Sequence, residues 1–174
     1  IYSRAILKGE AKPHRTTRFV LLLDTCLSTA ALFAQHDTVA IWLSGVSALQ
    51  AVFIFALCIK HGMGGWAKID LLCLAIALAG IVLWQTTDNP SLALYASIFS
   101  DFVGMMPALI KTYYHPETEI VSFFAIDVVA AIFSTLALKS WNIQQSAYPI
   151  YIMIINALMV ILIIRPRLQK MFQK

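Results

Sequence analysis

Three aspartates stand inside apolar stretches of this chain: Asp24, Asp101 and Asp127. A charge at the centre of a membrane helix costs about 2.5 to 3.5 kcal/mol on insertion scales, so three of them in one small chain point to use. A carboxyl withdrawn from water favours its neutral form and can take up or lose a proton as a cavity around it opens and closes. The chemistry such residues supply is proton coupling. Asp24 is followed at i+4, i+7 and i+11 by Ser28, Ala31 and Gln35, a polar or small stripe along one helix face. Asp127 is followed by Ala131 and Ser134 at matching spacings, and Asp101 has Ser97 one turn before it and Gly104 and Pro107 after it. The competing reading is that these carboxyls bond to helix backbone and serine neighbours and only lock a bundle.

Two large amides stand in later apolar stretches, Gln50 and Asn156, which align at an offset of 106 with Ala51 meeting Ala157. Each offers donors and an acceptor to hydroxyl or zwitterionic groups of a solute. Each could equally make an interhelical hydrogen bond, worth about 0.6 to 2 kcal/mol. Ser28 and Ser134 complete the candidate solute-binding set, and Pro107 and Pro149 are candidate hinges. An enzyme is disfavoured. The sequence holds no Ser-His-Asp set and no His-Glu-x-x-His, and its four histidines lie between the apolar runs without metal spacing. No metal or other cofactor is expected. Cys26, Cys58 and Cys73 have no paired or ligand spacing and read as small packing residues. The glycine-rich His61-Gly62-Met63-Gly64-Gly65 lacks the phosphate-loop spacing and reads as a flexible turn.

The elements that must position these residues follow from composition. Of 174 residues 60% are apolar and 13% charged, with mean hydropathy +0.77, where a soluble domain carries about 25% charged residues. Crossing a bilayer core of about 30 Å takes about 20 residues of helix. Six stretches approach that length, at about 17–35, 39–59, 69–86, 91–111, 120–138 and 147–165, separated by short polar, Pro- and Gly-containing breaks. Too little chain lies outside them for a soluble domain. The net charge of +4 comes from basic residues clustered between the runs, not spread over one polar surface, so nucleic-acid binding has no support. If the first run is entered from inside, twelve Lys and Arg fall on that side and Lys139 alone on the other. By the positive-inside rule both the segment before residue 17 and the C-terminal tail face the cytoplasm. Trp42, Trp84 and Trp141 near the outer ends of their runs, and Trp66 near the inner ones, agree with that orientation.

An offset of 103 brings Lys8, Pro13 and Asp24 onto Lys111, Pro116 and Asp127, a K-x4-P-x10-D pattern built from residues scarce in this composition. Both copies run outward from a cytoplasmic loop, so the units are parallel and an odd helix, 69–86, must separate them. The expected organisation is a first repeat over 1–60, a linker segment over 61–90 and a second repeat over 91–174. The second unit has a full helix before its loop, whereas Ile1 aligns with Gly104 near the end of that helix. The reading therefore expects a first helix upstream of Ile1, missing from this chain, and a whole of seven arranged three, one, three. The fold class is all-α, a polytopic membrane bundle of two parallel three-helix repeats joined by a linker helix.

This arrangement, with Met106-Pro107-Ala108-Leu109-Ile110-Lys111, then His115-Pro116-Glu117-Thr118-Glu119, then Phe123-Phe124-Ala125-Ile126-Asp127, resembles the PQ-loop and SWEET superfamily of small-solute transporters. The resemblance covers nearly the whole chain, in topology and spacing more than in identity. The naming Pro-Gln dipeptide is absent, replaced by Pro107-Ala108 and Arg4-Ala5. The chain thus looks like a divergent branch, and substrate does not carry over. The resemblance implies alternating access for a small polar solute. It also implies proton coupling at Asp127, the position similar to the coupling Asp of cystinosin-like members, and solute contact by the amide of the third helix. The expected partners are the lipid bilayer, the solute and protons, with a homo-oligomer or larger membrane complex open, and the expected location is a bacterial inner membrane. The reading from a different class is a non-transporting membrane scaffold or accessory subunit. Polar residues facing one internal cavity favour the carrier; polar residues facing a partner chain favour the scaffold.

Overall fold

The computed structural model describes residues 2–34, 40–87, 90–136, 138, 141 and 143–172. Among them the chain forms seven α-helices: α1 (Tyr2–Leu7), α2 (Arg15–Ala34), α3 (Ala40–His61), α4 (Lys68–Thr86), α5 (Pro90–Tyr114), α6 (Val121–Leu136) and α7 (Ile143–Phe172). A single 3-10 turn, Pro116–Thr118, stands between α5 and α6. The all-α class is as expected, and α2 to α7 fall where the six apolar runs lie. The largest difference is α7, which continues past the end of its run at 165. Hydropathy ends at Arg165-Pro166-Arg167, but charge alone does not stop a helix, and Pro166 is accommodated inside α7 as Pro107 is inside α5 and Pro149 earlier in α7.

Short connections make neighbours in sequence neighbours in space. α2 packs on α3, and α6 on α7; α1 also rests on α3, and α5 on α7. α3 therefore touches both α1 and α2, and α7 both α5 and α6. α4 lies against α5 and α2, and α2 against α5 closes the bundle. Small residues set the closeness of these crossings. A Cβ added at Gly104 on α5 would lie 2.7 Å from Val20 Cγ1 on α2, so only glycine lets these two helices meet at that depth. Where α4 meets α5, Ser100 donates to the Ala77 carbonyl at 2.8 Å, and a Cβ at Gly80 would come 3.0 Å from Ser100 Cβ.

The interior is thin. Met105, Leu109, Phe124, Ile155, Met159 and Ile163 form a core among α5, α6 and α7; Val20, Ala77 and Ile81 pack between α2 and α4. Much larger apolar side chains point outward: Leu49 is 71% exposed, Leu136 70% and Phe133 67%. Among the described residues Ser146–Pro166 is the stretch long and apolar enough to cross a membrane: 21 residues of mean hydropathy 2.4, about 31 Å of helix, with 22% of its apolar window buried. Gly45–His61 and Val121–Leu136 are apolar but shorter.

Candidate functional site

One cavity of about 430 Å³ opens between the helices. α2 supplies its longest wall, because Thr17, Leu21 and Asp24 recur at helical spacing and His14 stands one turn before Thr17. α5 contributes Asp101, Met105 and Ala108, again at i, i+4 and i+7. Asp127 enters from α6 beside Phe123 and Phe124, Tyr148 and Asn156 from α7, and Ser47 from α3. Asp24, Asp101, Asp127 and one of the two amides thus meet in a single space.

The aspartates are held differently. Tyr151 Oη donates to Asp101 Oδ2. Asp24 Oδ1 is buried and has no hydrogen-bond partner, and the same is true of Thr17 Oγ1 and His14 Nδ1. Asp24 and Asp101 line the same cavity as Asp127 and Arg18. Asn156 spends its amide nitrogen on the Ile152 carbonyl one turn back, at 2.9 Å, so the bond is intrahelical, not a tie to a neighbouring helix.

At the end of the cavity formed by the first turn of α2, a buried polar cluster shuts the space. Lys111 pairs with Glu119 Oε1, their side chains 5% and 2% exposed, and Lys111 Nζ also donates to the Lys12 carbonyl at 2.7 Å. Tyr2 Oη donates to Glu119 Oε2 at 2.8 Å and accepts from Arg18 Nη2 at 2.9 Å. Arg18 lies 4.8 Å from the Tyr2 ring centroid and 5.4 Å from that of Phe123, and these two rings stack at 4.3 Å. Backbone bonds tie the same region: Lys12 N–H donates to the Thr118 carbonyl at 2.8 Å, and Met63 N–H to the Pro13 carbonyl at 3.1 Å.

His14 borders this cluster with Nε2 3.5 Å from Asp70 Oδ1. Burial holds its imidazole below the usual histidine pKa and outweighs the pull of Asp70. The cations Lys111 and Arg15 push in the same direction as burial; the other oxygen of Asp70 accepts from the backbone N–H groups of Gly65 at 2.8 Å and Ala67 at 3.2 Å.

The structure brings Asp24, Asp101, Asp127 and Asn156 together and leaves others out. Gln50 is exposed on α3 and does not line the cavity; Ser47, one turn earlier, does. α3 is apolar nearly all round, so its sequence carries no phase from which to tell the inward face. Ser134 is likewise exposed on α6 and away from the cavity. The side chain of Ser28, and Gln35 entirely, lie outside the described residues. Pro107 and Pro149 lie within helices that continue on both sides of them. Sequence reasoning missed Tyr2, Arg18, Lys111 and Glu119 as a unit, because it assigned the basic residues to topology; the readable signal was Glu119, an acid placed among basic loops. It also missed Tyr148 and Tyr151. Among the described residues no group of three or more His, Cys, Asp or Glu could hold a metal ion, and the three cysteines are unpaired.

No protein-family model, no curated protein and no solved structure matches the chain. The likeness to PQ-loop and SWEET transporters rests on its residues and spacings alone.

Proposed function

We propose that this chain is an integral membrane carrier that moves a small polar solute by alternating access, with protons coupled through Asp127, Asp24 and Asp101. The observation that carries this reading is that the three aspartates and Asn156, drawn from α2, α5, α6 and α7, line one cavity. Aspartates that only locked helices together would be paired at helix contacts, yet Asp24 Oδ1 has no partner. The outward-facing Leu49, Phe133 and Leu136 favour lipid as the surrounding solvent, because in water so continuous an apolar surface drives association. Trp66 and Trp141, 82% and 71% exposed near helix ends, fit interfacial anchors.

Two three-helix units, α1 to α3 and α5 to α7, would rock about α4, as the PQ-loop and SWEET likeness implies. The contacts at the closed end support that motion, since Tyr2 to Glu119, Lys111 to Lys12 and Lys12 to Thr118 all run from one unit to the other. Separating the units would break the cluster and open the cavity toward the side on which the positive-inside rule places the first turn of α2, the cytoplasm. Proton uptake by a cavity carboxyl would then accompany the change of access.

The test is flux. Purified chain in liposomes loaded with a pH-sensitive dye is challenged with sugars, amino acids and amines, and a solute is expected to evoke proton movement that Asp127→Asn reduces about tenfold or more. Folded protein that moves neither solute nor protons would shift the reading to a scaffold within a larger complex.

A further inference from the structure

The cavity has a chemical polarity that its shape alone does not require. Asp24 Oδ1 and Thr17 Oγ1 are buried, unpartnered and able to accept hydrogen bonds. With the His14 proton on Nε2, facing Asp70, the unpartnered Nδ1 is a third acceptor. Thr17 and His14 are 3% and 5% exposed, so water does not reach them freely. A ligand that satisfies this wall must bring donors.

Charge points the same way. Arg18, which also lines the cavity, donates to Tyr2 and lies over two aromatic rings, and Lys111 is held by Glu119 and Lys12. Asp24, Asp101, Asp127 and Glu119 line the cavity against one permanent cation, Arg18, and among the described residues neither Asp24 nor Asp101 makes a salt bridge. A carboxylate-bearing solute would meet four acids and one cation in this lining, and a sugar would leave the acids uncompensated. The walls also include Phe124 and Tyr148, aromatic side chains of a kind that attracts organic cations. The acceptors occur at two levels: Thr17 and His14 at one, Asp24 at the other. Seven residues of helix separate Thr17 from Asp24, about 10 Å along the axis.

We infer that the cavity is a site for a linear aliphatic di- or triamine without a carboxylate, one ammonium lying between Asp24 and Asp101 and another near Thr17 and His14. This rests on the carrier reading only in treating the cavity as a solute site. Ammonium groups have donors and no acceptor, so they complement acceptor atoms left without a partner.

The experiment is calorimetric titration and thermal unfolding of the full chain in detergent with 1,4-diaminobutane, spermidine, butylamine, lysine, glucose and magnesium chloride, at fixed ionic strength. Saturable binding of diamine or triamine is expected, with butylamine and lysine about tenfold or more weaker and glucose and magnesium without effect. Asp24→Asn and Asp101→Asn should each weaken diamine binding about tenfold or more, and unliganded unfolding reports whether each variant folds. The ligand series needs no variant, so it stands even if both fail to fold. Equal binding of lysine or glucose, or a magnesium effect as large as the diamine's, would overturn the inference. The two readings fail separately: diamine binding without flux in liposomes refutes the carrier and keeps the amine site, whereas flux of a neutral or anionic solute keeps the carrier and refutes the amine.

Discussion

The side chains with most at stake are Lys111 and Glu119. Both are nearly inaccessible, so each charge depends on the other and on Tyr2 for what water would otherwise give. Removing one partner of a buried pair strands the other, at a cost of about 3 to 5 kcal/mol. Lys111→Met is therefore expected to lower the unfolding midpoint in detergent strongly, and Lys111→Met with Glu119→Leu to recover most of the loss, because an apolar pair leaves no stranded charge. A different dependence belongs to His14. Its folded pKa lies below the unfolded value of 6.5, so the unfolded chain binds the proton more readily. Stability carried by the neutral ring is fully present above pH 6.5 and lost as pH falls toward the folded pKa. Thermal unfolding followed from pH 8 down to about pH 5 should show this fall in the parent and a shallower one in His14→Gln. An identical slope in both would remove His14 as its source.

The α2–α5 crossing depends on one missing methyl group. Gly104→Ala would force its new Cβ against Val20, a fully buried side chain, and cost about 1 to 3 kcal/mol. Adding Val20→Ala should restore part of that, and a double-mutant cycle on the unfolding midpoint reads the coupling; strict additivity would mean that the helices do not meet there. At this scale most helices were legible in advance, because apolar runs broken by Pro, Gly and polar residues mark where a helix can cross and where it must turn. Helix rotation was legible only where polar residues gave a phase: Asp24 on α2 and Asp101 on α5 both line the cavity, whereas Ser97, Gly104 and Pro107 of the α5 stripe do not, and the side chains of Ser28 and Ala31, with Gln35, lie outside the described residues. α3 gave none, and Ser47 rather than Gln50 reached the cavity. The buried cluster at the closed end was illegible for another reason. Tyr2 and Glu119 are 117 positions apart, and nothing local in either segment encodes a meeting at that distance.

For the molecule as a whole, the proposed transport turns on whether α1 to α3 and α5 to α7 move apart. Lys12 and Thr118, bonded through their backbones across the units, are the place to test it. With Cys26, Cys58 and Cys73 replaced by serine or alanine, Lys12→Cys with Thr118→Cys and a short thiol cross-linker should arrest flux in liposomes, and reduction of a cleavable linker should restore it. Undiminished flux in fully cross-linked protein would mean that this end never opens. The same clasp also constrains how the chain assembles. Residues 12–15 leave the ribosome early, yet Met63, Lys111 and Thr118, to which their backbone is bonded, follow by roughly 50 and 100 residues. Until then those amides and carbonyls must be kept in water or held by insertion machinery. The cluster is thus a late event in biogenesis: until Lys111, Thr118 and Glu119 have been made, Lys12 and Tyr2 lack the partners that hold them in the finished protein.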